Sequence, residues 1–114
     1  MTSEPSDSGL HLQTALVAGS AAGLGATKAA PMSPTRTSAT EYRRNGVRVN
    51  TATPGAVYTD GADPQRTEAL GKATLLGHGA RAEEIAEAVA FFASPKASHT
   101  TGAVLPVNGG RTAV

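Results

Sequence analysis

The stretch Thr14 to Lys28, Thr-Ala-Leu-Val-Ala-Gly-Ser-Ala-Ala-Gly-Leu-Gly-Ala-Thr-Lys, limits the folds open to this chain more than any other. Thr14 to Ala18 is a short, largely apolar run of the kind that forms a buried parallel strand. Gly19, Gly23 and Gly25 follow at once, and then a segment able to start a helix. A strand feeding a glycine-rich turn and a helix is a phosphate-binding arrangement. Glycines permit positive φ and close approach of the backbone. The helix N-terminus offers unpaired N–H groups and the positive end of its dipole to a pyrophosphate.

The rest of the chain continues in the same style. Pro31 and Pro34 interrupt any helix running on from Ala26, because proline lacks the backbone donor and clashes with the preceding turn. A fresh helix is predicted with Ser33 as N-cap and Pro34 at its first position, ending near Arg44. Asn45-Gly46 is a suitable stop, and Ala39 and Tyr42 supply its apolar face. Val47 to Ala52 alternates apolar and polar residues and predicts a second strand, closed by the turn Pro54-Gly55. Tyr58 to Gly79 is polar and glycine-containing and reads as a loop with at most a short helix near Gln65 to Leu70. Ala82 to Ala93 carries the strongest helical pattern. Ile85, Ala88, Val89 and Phe92 share one face, Glu83 and Glu84 occupy the first turn, and Ser94-Pro95 ends it. Gly102 to Val107 predicts a third strand, placed at a sheet edge by Pro106, which cannot donate to a ladder. Strand, helix, strand, helix, strand argues for a parallel α/β layer.

Bulk properties narrow the class of partners. The 114 residues suffice for one domain with a thin core, and Met1 to about Gly9, rich in Ser, Pro and acidic residues, reads as a disordered tail ahead of a single domain over residues 10–114. The net charge of +1, without a dense Lys/Arg patch, argues against nucleic acid or an anionic membrane as partner. No apolar run approaches the ~20 residues of a membrane span. The chain has no cysteine, which excludes disulfides and thiolate metal sites and suits a reducing cytoplasm. His11, His78 and His99 are scattered and lack a ligand pattern, so no metal is expected.

Three pieces of the chain together resemble the short-chain dehydrogenase/reductase family. Ala18-Gly19-Ser20-Ala21-Ala22-Gly23-Leu24-Gly25 is similar to that family's T-G-x-x-x-G-x-G. Thr27-Lys28-Ala29-Ala30, Thr35-Arg36, Glu41 and Asn45 to Asn50, running on to Pro54-Gly55 and Thr59, resemble the segment from the catalytic lysine through the sixth strand to the cofactor-contacting loop. Glu83-Glu84-Ile85-Ala86 to Gly110 is similar to the last helix and seventh strand, with Asn108 where Asp is common before the double glycine. The resemblance implies a Rossmann-like, three-layer α/β remnant with a parallel sheet of about three strands. It implies NAD or NADP as cofactor, a small carbonyl or alcohol substrate, and NAD(P)-dependent oxidoreduction. It assigns cofactor contacts to Gly19, Ser20, Gly23, Leu24, Gly25, Pro54, Gly55, Val57 and Thr59, and the catalytic lysine to Lys28.

The departures bear on activity. In the family a tyrosine four residues before the lysine donates a proton; here that position is Leu24, which has no ionisable group. Tyr42 and Tyr58, the chain's two tyrosines, have no lysine four residues on; Tyr42 reads as core packing and Tyr58 as a loop residue. Two parses are open. In the first, a large internal deletion joins the family's first strand and glycine turn to its catalytic helix at Gly25 to Lys28. In the second, Ser20 is the family's carbonyl-orienting serine and only the loop between serine and tyrosine is shortened. The glycine spacing and the closeness of the strand to Met1 favour the first, in which two strands normally separated by two others become neighbours. The expectation is an impaired or inactive oxidoreductase. Its alternatives are a non-catalytic module that binds a dinucleotide or forms a homo-oligomer through the last helix and edge strand, and the non-functional product of a deleted gene.

Overall fold

The computed structural model describes residues 14–18 as backbone and residues 32–113, with side chains from Pro34 onward. The tail before Thr14 and the glycine-rich stretch 19–31 lie outside the described residues. A three-stranded parallel sheet runs in the order β1 (Thr14–Ala18), β2 (Arg48–Pro54), β5 (Val104–Val107). Leu16 lies opposite Asn50 and Thr51 opposite Val104. Between β1 and β2 comes α1 (Met32–Tyr42). Between β2 and β5 come β3 (Val57–Tyr58), α2 (Pro64–Lys72), β4 (Ala80–Arg81) and α3 (Ala82–Ala93). No described helix is long and apolar enough to cross a membrane.

β2 is the middle strand, and all five residues from Arg48 to Ala52 are buried. Its two faces carry different cargo, because successive side chains point to opposite sides of a sheet. Ala52 joins Phe92 of α3 and Ala97 in the apolar core, with Val89, Ala103 and Val107 packed around them. Thr51 meets α1 instead: its hydroxyl is 2.6 Å from that of Thr35, which is 2% exposed. Helices therefore cover both faces of the strand, which is the three-layer arrangement the sequence implied.

α3 spans the range its periodicity predicts. Glu84 Oε1 accepts from the Arg81 N–H at 2.9 Å and closes the first turn; the Ser94 hydroxyl donates to the Phe91 carbonyl and accepts from the Lys96 N–H beyond the last. α1 differs in detail. It already includes Met32 and Ser33, so Ser33 is not its N-cap. It passes into a 3₁₀ turn, Arg43–Asn45, and stops at Gly46, whose φ of 72° is the left-handed conformation that glycine adopts without strain. Tyr42 is not core packing: it is 49% exposed, at the end of the helix. Small Thr35 is the buried contact in its place.

Two elements were not foreseen at their full extent. α2 is a nine-residue helix because Asp63-Pro64 is a start signal: the Asp63 carboxylate accepts from the Gln65 N–H at 3.0 Å and Pro64 takes the first position. β3 and β4 form a two-stranded parallel pair that ties the two ends of this excursion together, with the Ala80 N–H donating to the Ala56 carbonyl at 2.8 Å. Tyr58 accordingly sits in β3 rather than in free loop.

Pro106 does occupy the sheet edge, and the ladder shows why it is tolerated. The N–H of Thr51 donates to the Ala103 carbonyl at 2.9 Å, and that of Gly55 to the Val107 carbonyl at 3.2 Å. Residues of odd number in β5 thus face β2, and the backbone of Val104 and Pro106 points outward. The donor that proline lacks is one that β2 does not need.

The buried polar groups of β2 yield a stability prediction. Asn50 is 0% exposed; its amide N–H donates to the Thr100 carbonyl at 2.9 Å and its Oδ1 accepts from the Ala103 N–H at 3.0 Å. Asn50→Ala strands both partners and should cost about 2–4 kcal/mol, read as a fall in melting temperature of about 10 °C or more. Tyr42→Ala, at an exposed position, should change stability by no more than about 0.5 kcal/mol.

Candidate functional site

The carboxyl ends of β2 and β5 lie side by side, and the chain leaves both strands into loops that touch. Pro54, the last residue of β2, is opposite Val107. Gly55 follows and packs against Asn108: a Cβ at Gly55 would lie 2.7 Å from the Asn108 Cβ and 3.0 Å from its Cα. Only a residue without a side chain lets the two loops approach so closely. Asn108 is itself fixed, its Oδ1 accepting from the Gly110 N–H and its Nδ2 donating to the Thr112 hydroxyl, both at 3.1 Å. The loop leaving the middle strand is therefore held from below by β5 and from beside by Asn108.

Of the site residues taken from the sequence, the structure brings Pro54, Gly55 and Val57 together at this edge. Val57 is half-buried in β3, paired with Ala80. Thr59 stands slightly apart. Its carbonyl accepts from the Ala62 N–H at 3.1 Å, and its side chain borders an open polar depression shared with Tyr58, Asp60, Arg81 and Glu83. Gly19, Ser20, Gly23, Leu24, Gly25 and Lys28 lie outside the described residues.

A cavity of about 350 Å³ opens between the two loops and the segment after α2. Ala56, Leu75, Leu76 and Val107 give it an apolar lining, and Thr74, His78, Glu84 and Asn108 its polar side chains. The Leu76 N–H donates to the Gly109 carbonyl at 3.0 Å, joining the Thr74–Leu76 turn to the end of β5. Sequence reasoning assigned no role to Ala56, Leu75 or Leu76. The marker that could have drawn attention to them is the pair of adjacent leucines in an otherwise polar loop. Asn108 was noticed for its place before the double glycine, but nothing in the sequence tied it to Gly55.

In an open doubly wound sheet, ligands bind in the crevice outside the carboxyl ends of the strands. At this edge the described residues supply a backbone loop held by β5 and Asn108 and a partly apolar cavity wall, with the Thr59 side chain in a separate depression. None of the cavity-lining residues is Lys or Arg.

The parallel sheet with helices on both faces defines an α/β protein of the doubly wound type, and comparison with known proteins makes this specific. The family model described as enoyl-(acyl carrier protein) reductase matches residues 11–112. The chain belongs to the short-chain dehydrogenase/reductase family of oxidoreductases. It is 44% identical over 94 residues to cis-4-hydroxycyclohexanecarboxylate dehydrogenase of Sinomonas cyclohexanicum, covering 78% of this chain and 37% of that protein. It is also 44% identical over 89 residues to 3-oxoacyl-[acyl-carrier-protein] reductase FabG of Vibrio cholerae, covering 75% of this chain and 36% of that protein. An oxidoreductase of the family from Burkholderia thailandensis superimposes with a TM-score of 0.75 at 37% identity, over 89% of this chain and 45% of its own. BdcA, solved in complex with NADPH, superimposes with a TM-score of 0.72 at 28% identity, over 87% of this chain and 46% of its own. The chain spans about a third of the length of the curated relatives it matches and under half that of the solved ones.

The contact between Gly55 and Asn108 can be tested by adding bulk. Gly55→Val should cost about 1–3 kcal/mol, the usual penalty of overpacking, and should speed hydrogen exchange at Ala56 and Val57. At Gly61 a Cβ meets nothing within 4 Å, so Gly61→Val should leave both the melting curve and the exchange rates of those two residues unchanged.

Proposed function

We propose that this chain forms the nicotinamide-facing side of an NAD(P)-dependent site for carbonyl–alcohol oxidoreduction. The observation that carries this reading is the pinned loop from Pro54 to Thr59 at the carboxyl end of the middle strand, held by Gly55 against Asn108. Pro54 and Gly55 would present backbone groups to the carboxamide of the ring, Val57 an apolar contact and Thr59 a hydroxyl. The bound nicotinamide would exchange a hydride with a small carbonyl or alcohol substrate. The cavity beside Ala56, with Leu75 and Leu76 on its far wall, would take the apolar body of that substrate.

Both parses place β1 beside β2, and the second does so without rearranging the family's strand order. In the usual doubly wound order 3-2-1-4-5-6, the neighbour of the sixth strand is the fifth, not the first. β1 lies directly beside β2, the strand that resembles the family's sixth. Read this way, Thr14–Ala18 is the fifth strand and Ser20, two residues beyond it, is the carbonyl-orienting serine. Gly19, Gly23 and Gly25 then belong to the turn after that strand and not to a pyrophosphate cradle. Lys28 keeps its resemblance to the ribose-contacting lysine. Leu24 still stands four residues before it and cannot donate a proton, so this chain binds and orients better than it turns over.

A second reading draws on exposed apolar side chains. Phe91 of α3 is 45% exposed and Leu105 of β5 is 39% exposed, which favours packing of the last helix and edge strand against another subunit through their side chains.

Thermal melts with excess NAD(H) and NADP(H) test the main reading. A ligand at 100 times its dissociation constant adds about 2.7 kcal/mol to stability. One dinucleotide should raise the melting temperature of the wild type. The shift should survive Gly23→Ala, because that glycine has no pyrophosphate to hold. Absence of any shift would end the proposal, and loss of the shift in Gly23→Ala would restore the first parse.

A further inference from the structure

The chain contains three asparagines, and two of them, Asn45 and Asn108, precede glycine. In an Asn-Gly pair the glycine nitrogen can attack the asparagine Cγ, because no side chain on the glycine hinders the approach. The fold treats the two pairs differently. Asn45 lies in the 3₁₀ turn after α1, where the Gly46 N–H donates to the Arg43 carbonyl at 3.2 Å. The hydrogen of that nitrogen is engaged, and the helical turn opposes the swing of the peptide that attack requires.

Asn108 is arranged for the attack. Its Oδ1 accepts from the Gly110 N–H at 3.1 Å, closing an Asx turn. Such a turn folds the side chain over the next peptide and sets Cγ against the Gly109 nitrogen. The Gly109 N–H has no acceptor among the described residues. The Gly110 N–H points at the oxygen on which charge develops during attack, as a donor in an oxyanion hole does. On the other side of the amide, Nδ2 donates to the Thr112 hydroxyl at 3.1 Å and so orients the leaving group. Nucleophile and carbonyl held in one turn need no bimolecular encounter.

We infer that Asn108 is a self-modification site, whose conversion through a cyclic imide alters the hold on the Pro54–Thr59 loop. The Gly109 nitrogen gives up its proton and bonds to Cγ. The Cγ–Nδ2 bond breaks, and the amide nitrogen takes a proton and leaves as ammonia. Water then opens the imide at either carbonyl. Opening at Cγ gives aspartate; opening at the backbone carbonyl gives isoaspartate, whose main chain runs through Cγ. Nothing is oxidised or reduced, and water is the one co-reactant. Asn108, Gly109 and Gly110 line the cavity of about 350 Å³, which admits it. The two products differ for the loop. Aspartate keeps the side-chain oxygen for Gly110 and the contact with Gly55. Isoaspartate adds a methylene to the backbone where a Cβ on Gly55 would already lie 2.7 Å from the Asn108 Cβ, and this forces the loops apart. The reaction requires no bound dinucleotide.

The experiment is peptide mapping of the folded full chain after ageing in mildly alkaline water enriched in heavy oxygen. Trypsin, cutting after Arg44, Arg48, Lys96 and Arg111, places the three asparagines in separate peptides. Asn108 should convert at least several-fold faster than Asn45, with heavy oxygen retained and isoaspartate among the products. In denaturant the two rates should converge. Asn50, buried and followed by Thr51, should stay unconverted. Equal rates in the folded chain, or a faster Asn45, overturn the proposal. Conversion of Asn108 without isoaspartate also overturns it, since direct hydrolysis forms no imide. Hydrogen exchange reads the consequence. Ala56 and Val57 should exchange faster in the isoaspartate fraction, and at the wild-type rate in Asn108→Asp. Wild-type exchange in the isoaspartate fraction would overturn the effect on the loop.

Discussion

The buried polar side chains of the middle strand are what the rest of this structure depends on. Arg48 reaches under the C-terminal end of α3, donating from Nη1 to the carbonyls of Phe92 at 3.0 Å and Thr100 at 3.4 Å, and from Nη2 to that of Ser94 at 3.3 Å. A cation at a helix C-terminus is favoured by the dipole, and carbonyls left over by the last turn need donors. Asn50 stitches the next segment, Thr100 to Ala103, to the same strand. The Val49 N–H adds a bond to the Thr101 hydroxyl at 3.1 Å. Among the described residues the fully buried apolar side chains are few and small: Val49, Ala52 and Ala97 beside Phe92. Directional bonds from one strand set the positions, and each is costly to lose because its partners sit away from water.

The site inherits its geometry from this strand. β2 runs from the Arg48 clamp at one end to the Pro54–Gly55 turn at the other, and β5 is held to it throughout. Asn108 arrives beside Gly55 because Val104–Val107 is in register with Thr51–Pro54. The excursion between β2 and α3 is fastened where it begins and ends by β3 and β4, so the Thr74–Leu76 turn closes over the end of β5. A loop pinned by main-chain bonds and one close glycine contact presents its backbone with little freedom to lose on binding. This is a reason to expect ligand binding there despite a short chain and a thin core.

What was legible in the sequence follows the strength of each local signal. α3 was readable to the residue because Ile85, Ala88, Val89 and Phe92 mark one face and Ser94-Pro95 marks the end. Pro106 announced a sheet edge and Asn45-Gly46 a stop. The role of Thr35 was hidden because a hydrophobic pattern gives no weight to a hydroxyl, so Tyr42 was chosen in its place. α2 was understated for a related reason: its buried positions are Thr67 and Gly71, and only Asp63-Pro64 advertised it. β3 and β4 are too short to carry a period. At the site, the Pro54-Gly55 turn and Thr59 were found from the family's pattern, whereas the contact of Gly55 with Asn108 joins residues far apart in the chain and has no sequence signature. The adjacency of β1 and β2 was already expected under the first parse, and strand order alone does not separate the two.

The most direct test of this account is the place of β1, because it decides whether the glycine-rich stretch leaves the sheet beside the Pro54–Gly55 loop. Nuclear Overhauser contacts between backbone protons in isotope-labelled protein measure it. The account predicts contacts from Ala15 and Val17 to Asn50, in the pattern of parallel strands with Leu16 opposite Asn50. Contacts of Thr14–Ala18 to another segment, or to β2 in an antiparallel pattern, would contradict it and remove the support for Ser20 as part of the site.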